Sequence, residues 1–120
     1  MPYSVPQKQS MQRDKEYLLD ILDASKLAIQ YVQKKSIEDF LSDIQCQDAV
    51  IRRLEIIGEA ARRVSDETRE AHPELPWHKM VGMRNVMVHE YNDVDLLLVW
   101  DTAYNRLPSL VHSLEEILSA

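Results

Sequence analysis

Apolar side chains return at every third and fourth position along most of this chain. Leu18, Ile21, Leu22, Ser25, Ala28, Ile29 and Val32 form one such stripe, and a stripe of that period buries one face of a helix. Val50, Leu54, Ile57, Ala61 and Val64 form a second, in which Gly58, Ala60 and Ala61 keep the surface low enough for a neighbouring helix to approach closely. No stretch alternates apolar and polar residues in the manner of a strand. Only 2 glycines occur in 120 residues, too few for a turn-rich β sandwich or a glycine-rich phosphate loop. The pattern predicts an all-α bundle of four or five helices with short loops.

Capping residues and prolines divide the chain. Residues 1–10 hold Pro2 and Pro6 and little periodicity, which predicts a frayed lead-in to one helical domain over residues 11–120. The first helix is expected from Met11 to about Gln33. Ser36-Ile37-Glu38-Asp39 and Ser42-Asp43-Ile44-Gln45 both resemble capping-box starts, so a short helical turn precedes a long helix from about Ile44 to Val64. On its wet side Glu59 can pair with Arg62 and Arg63. Asp66 to His72 suit one or two further turns, ended before Pro73. Pro76 fits a first helical position, opening a helix to about Glu90. Asn92, Asp93 and Asp95 offer caps for a helix from about Val94 to Leu107, which Pro108 stops or kinks. Ser109 to Leu118 then close the bundle.

A chain of this length can bury roughly two thirds of its unfolded surface in one core. One cysteine, Cys46, excludes an intrachain disulfide framework and a thiolate zinc cluster, which fits a reducing compartment. No run has the length of a membrane helix, and Met1 to Ser10 lack the apolar core of a secretory signal, so the expected location is the cytoplasm. The net charge of -6 argues at first against a nucleic-acid partner. Its distribution changes that. Residues 1–43 carry -1, residues 44–89 carry 0 and residues 90–120 carry -5. The balanced middle holds Arg52, Arg53, Arg62, Arg63, Arg69, Lys79 and Arg84.

The helix from Pro76 has its apolar stripe at Trp77, Met80, Val81, Arg84, Val88 and Tyr91, with an arginine inside it. A guanidinium keeps its proton, so one buried in a seam requires a carboxylate such as Glu55 or Glu59, a subunit interface or an anionic ligand. His89 lies five residues on. On a regular helix Arg84 and Tyr91 are nearly in line, whereas Arg84 and His89 diverge by about 140°. Both reach one phosphate only if the helix ends or bends near His89, if the side chains curl around it, or if a two-fold partner supplies a second copy. Such a pair suits cleavage of RNA without metal. Histidine can take a proton from the ribose 2′-hydroxyl or give one to the leaving oxygen, and arginine can clamp the nonbridging oxygens. Asn85 suits support of the histidine or of a phosphate, and Tyr91 suits stacking or a hydroxyl role.

The stretch from Pro73-Glu74-Leu75-Pro76-Trp77 through Met83-Arg84-Asn85-Val86-Met87-Val88-His89-Glu90-Tyr91 resembles the HepT-like toxin family of the HEPN superfamily. The motif R-N-x-x-x-H-x-Y is complete. The resemblance also takes in Asp48 to Ala60, Val99-Trp100 and Leu107-Pro108, and covers about residues 11 to 115. It implies a HEPN-like homodimer and a metal-independent ribonuclease toxin that needs no cofactor. Arg84 and His89 would be catalytic at the dimer interface, Asn85 would support them, and Tyr91 would accept AMP from a minimal nucleotidyltransferase antitoxin of the MntA type. A bulky anionic nucleotide on Tyr91 would fill the cleft and neutralise the arginine.

Other polar groups have plainer roles. Arg52, Arg53, Arg62, Arg63 and Lys79 are candidates for an RNA path or, equally, a solvated face. His72 and His78 read as surface or capping groups at the Pro73 to Pro76 turn. His112 with Glu115 and Glu116 lacks the second histidine a three-ligand metal site needs. Cys46 stands near a helix start but reads as a small core residue, and Trp77, Trp100, Met80, Met83 and Met87 read as core or dimer seam. Two rivals remain: a noncatalytic helical subunit that dimerises and docks a nucleotidyltransferase, and a monomeric bundle in which Arg84 is a plain buried ion pair.

Overall fold

The computed structural model describes residues 7–88 and 94–119, with side chains over 11–84 and 94–119. The described residues are helical or in short connections: α1 (Gln7–Val32), α2 (Ile37–Leu41), α3 (Ile44–Arg63), α4 (Asp66–Ala71), α5 (Trp77–Val88), α6 (Leu96–Asp101) and α7 (Leu107–Ser119). The all-α expectation holds. Helix α3 runs through the middle with α1 and α5 packed against it, and α7 lies along α1. Both predicted stripes are buried apart from the half-buried Ile29: Ile21, Ala28, Val50, Leu54, Ile57 and Ala61 are fully enclosed, joined by Phe40, Met80, Val99, Ala103 and Leu114. No described helix is long and apolar enough to cross a membrane.

Three boundaries differ from those read in the sequence. Helix α1 starts at Gln7, four residues before the expected start at Met11, so residues 7–10 continue the helix rather than preceding it. Gln and Lys are good helix formers and need no buried face to extend one already nucleated. The cap of α3 is Asp43, whose carboxylate accepts from Cys46 N at 3.0 Å; its neighbour Ser42 instead closes α2. Pro108 does not stop its helix. The chain passes from α6 through a π-helical turn (Thr102–Arg106) straight into α7, with Leu107 N reaching back five residues to Thr102 O. Proline lacks an N–H and collides with the carbonyl four residues earlier, here that of Tyr104; one wider turn accommodates both defects and lets the helix go on.

Two polar links fix the ends of the central helices. The buried Asp14 carboxylate on α1 accepts from Ser65 N at 3.1 Å, Ser65 Oγ at 2.5 Å and Thr68 Oγ1 at 2.6 Å, while Ser65 Oγ caps α4 by accepting from Thr68 N. Arg69 donates through Nη2 to Ala61 O at 2.8 Å and Arg62 O at 3.1 Å, closing the C-terminus of α3. Its guanidinium lies 5.9 Å from the centre of the Trp77 ring, and Trp77 Nε1 donates to His72 O. The first turn of α5 is thereby tied to the end of α3.

Candidate functional site

Helix α5 reaches α3 at one glycine. A Cβ on Gly58 would lie 2.7 Å from Arg84 N and 2.8 Å from Arg84 Cβ, so the absent side chain is what admits the α5 backbone. The low surface expected from Gly58, Ala60 and Ala61 thus receives the motif helix at its arginine.

Arg84 itself is not a buried charge. Met80 is fully enclosed and Trp77 and Val81 are half-buried, but the Arg84 side chain keeps 43% of its exposure. The stripe that looks continuous in sequence runs out from the core to the rim of a groove, because Gly58 seats only the root of Arg84 and the rest of the side chain extends past the helix contact. Of the two carboxylates expected to pair with it, Glu59 does so, its Oε2 standing 2.9 Å from Arg84 Nε, and the pair sits at the surface rather than inside. Glu59 Oε1 accepts from Arg62 Nη2 at 3.0 Å and Arg63 Nη2 at 3.4 Å, as their spacing on α3 predicts. The Arg62 hydrogen bond, followed by the charges of Arg84, Arg62 and Arg63, holds the Glu59 carboxyl below its ordinary range.

The groove has a volume of about 390 Å³ and is lined by Tyr17, Asp20, Arg52, Glu55, Ile56, Glu59, Ala60, Arg63 and Arg84. Among the sequence candidates for an RNA path it gathers Arg52 and Arg63 around Arg84. Arg62 bonds to Glu59 from outside that lining, Arg53 is half-buried with its Nε unpartnered, and Lys79 belongs elsewhere. Lys79 and His78 border a more apolar groove of about 310 Å³ against Leu98, Leu107 and Leu110. Five residues separate Lys79 from Arg84, which turns them about 140° apart on α5. Tyr17 and Asp20 escaped the sequence reading. Their only signal was a spacing of three on the polar flank of the α1 stripe.

Asn85 lies on α5, whose described part ends at Val88; its side chain, His89 and Tyr91 lie outside the described residues, as does the choice among the three arrangements that would join Arg84 to His89. The plainer residues behave as such. His72 shapes the turn before α5, its Nδ1 being 3.4 Å from Glu74, and His112 pairs with Glu116 at 3.0 Å while Glu115 pairs with Lys26. Burial pushes the Cys46 thiol up, away from reactivity, in agreement with a core role. Trp100 is core, 5.4 Å from Phe40.

Comparison with known proteins agrees with the motif. The family described as ribonuclease HepT-like matches residues 21–117. A protein of Thermococcus cleftensis named probable ribonuclease HepT is 41% identical over 103 residues, 86% of this chain and 94% of its own length. Proteins named as candidate RNases are similar too: one from Methanocaldococcus jannaschii is 36% identical over 84% of this chain and 93% of its own, and one from Caldanaerobacter subterraneus is 38% identical over 90% and 96%. No solved structure matches significantly. With a complete R-N-x-x-x-H-x-Y motif and a family match across most of its length, this chain belongs to the HepT-like ribonuclease family.

Proposed function

We propose that this chain is a metal-independent endoribonuclease toxin that acts as a homodimer, with Arg84 and His89 of the two copies meeting at one cleft. The observation that carries the reading is Arg84, half-exposed on the rim of a groove that also presents Arg52 and Arg63, in the helix that bears the family motif. In the reaction the 2′-oxygen attacks the adjacent phosphorus and the bond from phosphorus to the 5′-oxygen breaks. His89 of one copy takes the 2′-hydroxyl proton and the protonated His89 of the other gives one to the leaving 5′-oxygen, giving a 2′,3′-cyclic phosphate and a 5′-hydroxyl. Arg84 stabilises the charge that gathers on the nonbridging oxygens, and Asn85 supports the pair. Only RNA carries the internal nucleophile, so DNA is not cut. Transfer of AMP from ATP to the Tyr91 hydroxyl by an MntA-type nucleotidyltransferase, with release of pyrophosphate, silences the enzyme.

The purified protein is expected to cleave single-stranded RNA in EDTA and leave a 2′,3′-cyclic phosphate, and Arg84→Ala or His89→Ala to abolish cleavage. Undiminished cleavage by both variants sinks the assignment. A stable complex with a nucleotidyltransferase, without cleavage by the free protein, would favour the noncatalytic docking subunit instead.

A further inference from the structure

The Glu59 carboxylate divides its two oxygens. Oε1 accepts from Arg62 and Arg63, which stand three and four residues on along the same helix, whereas Oε2 faces Arg84 Nε from α5. One negative charge therefore meets three positive ones, and withdrawal of Arg84 leaves Glu59 still matched by two arginines of its own helix. The contact to Arg84 uses Nε. That contact is a charge pair rather than a hydrogen bond, and a guanidinium presents five N–H donors in a planar fork, so its terminal pair of nitrogens is an edge suited to bidentate capture of a phosphate. The other end of the side chain is set too, since Arg84 N and Cβ lie over Gly58. A long arginine otherwise loses rotamer freedom when it clamps a phosphate, and holding it beforehand moves that loss from the reaction to folding.

Resting on the ribonuclease reading above, we propose that Glu59 is a positioning residue for the reaction: it presets Arg84 at the groove rim and yields it to the RNA phosphodiester, keeping Arg62, which stands outside the groove lining, as its own counter-charge. Glu59 touches no substrate atom in this scheme. Its effect belongs in kcat, because a misplaced clamp weakens the transition state, whereas removal of a carboxylate from the groove on its own favours RNA binding.

The test is steady-state cleavage of a single-stranded RNA oligonucleotide in EDTA by the full chain, run beside phenylglyoxal labelling of Arg84 followed by peptide mass mapping. Glu59→Gln is expected to lower kcat by about tenfold or more with KM unchanged or lower, Glu59→Asp to recover part of the loss, and Arg84 to label severalfold faster in Glu59→Gln than in the parent protein. Glu55→Gln removes the same charge from the same groove but no partner of Arg84. A kcat that holds or rises in Glu59→Gln overturns the proposal, as does an equal loss in Glu55→Gln or Arg84 labelling that Glu59→Gln leaves unchanged. Thermal melts of each variant confirm that the compared proteins are folded. If the parent protein does not cleave RNA while Glu59 still shields Arg84 from the reagent, the ribonuclease reading fails and the pair is structural.

Discussion

Gly58 and Arg84 touch backbone to backbone: a methyl group on Gly58 would stand 2.7 Å from the Arg84 amide nitrogen. Because the obstructing atoms are the Arg84 N and Cα and the Cβ fixed to them, no rotamer change relieves the clash and α5 must move. Gly58→Ala is expected to destabilise the fold by about 1–3 kcal/mol through overpacking, against a gain of about 1 kcal/mol in helix propensity. The same substitution at Gly82, where nothing lies within 4 Å of the added carbon, carries only the gain and is expected to stabilise by about 0.5–1 kcal/mol. Urea unfolding of the two variants should move the midpoint in opposite directions. A stable Gly58→Ala variant with undisturbed RNA cleavage would show that the close contact does not set Arg84.

Asp14 serves three donors from a position where water scarcely reaches. Asp14→Ala strands the Ser65 amide and the Ser65 and Thr68 hydroxyls at once, and hydrogen bonds to a charged acceptor rank among the stronger ones. The expected loss is about 2–4 kcal/mol by chemical denaturation. Asp14→Asn keeps one oxygen acceptor and should lose less. Equal losses would mean that volume, rather than acceptance, is what the site requires.

The helices and their buried faces were legible because one period governs them. Val50, Leu54, Ile57 and Ala61 repeat at helical spacing and are all enclosed, and Gly58 among small residues on the same helix signals a close helix contact without naming its partner. Arg84 shows where periodicity stops reporting burial. Sequence spacing reports the direction of a side chain around its axis but not how far the neighbouring helix extends, so a stripe position at the edge of the contact reads as buried. Pro108 misleads for a related reason: its local penalty is real, yet a single π turn satisfies it inside a helix held by packing on both sides. Tyr17 and Asp20 join the groove only through tertiary contact of α1 with α3, which no local pattern encodes.

Acid should weaken the fold in a defined window. The Glu59 carboxyl is held low by the Arg62 hydrogen bond and then by Arg84, Asp43 by the Cys46 backbone amide and then Lys35, and Asp101 by Asn105 and then Arg106. A carboxyl whose folded pKa lies below its unfolded value contributes stability that is present above the unfolded value and lost as pH falls through the folded one. Stability should therefore be flat near neutrality and decline below the ordinary carboxylate range. Lys35, raised by its hydrogen bond to Asp43, has the opposite sign and loses its contribution only as pH rises through its elevated value. Urea midpoints measured from neutral to acid pH should show a shallower decline in Asp43→Asn than in the parent protein. An identical slope would remove Asp43 from the account.

Modification offers a test that needs no cleavage assay. Co-expression with an MntA-type nucleotidyltransferase should add mass in steps of one AMP to the intact chain, and Tyr91→Phe should abolish every step. AMP found on another residue, or retained in Tyr91→Phe, would defeat the regulatory half of the proposal while leaving the nuclease half standing.

The two faces of α5 should differ in their response to salt. Arg52 and Arg63 share the groove with Arg84, whereas Lys79 borders the apolar groove on the other side of the helix. Each phosphate neutralised on a single strand contributes about -0.7 to the slope of log affinity against log salt. In a His89→Ala background, which the proposed mechanism expects to be inactive, Arg63→Ala and Arg52→Ala should each make the slope for an RNA oligonucleotide shallower by about that amount. Lys79→Ala should leave it unaltered. The net charge of the chain does not oppose this, because the acidic excess lies in residues 90–120, whereas residues 44–89, which supply Arg52, Arg63 and Arg84, are balanced. A slope that falls with Lys79→Ala and holds with Arg63→Ala would place the RNA on the opposite face of α5 and detach it from the Arg84 groove.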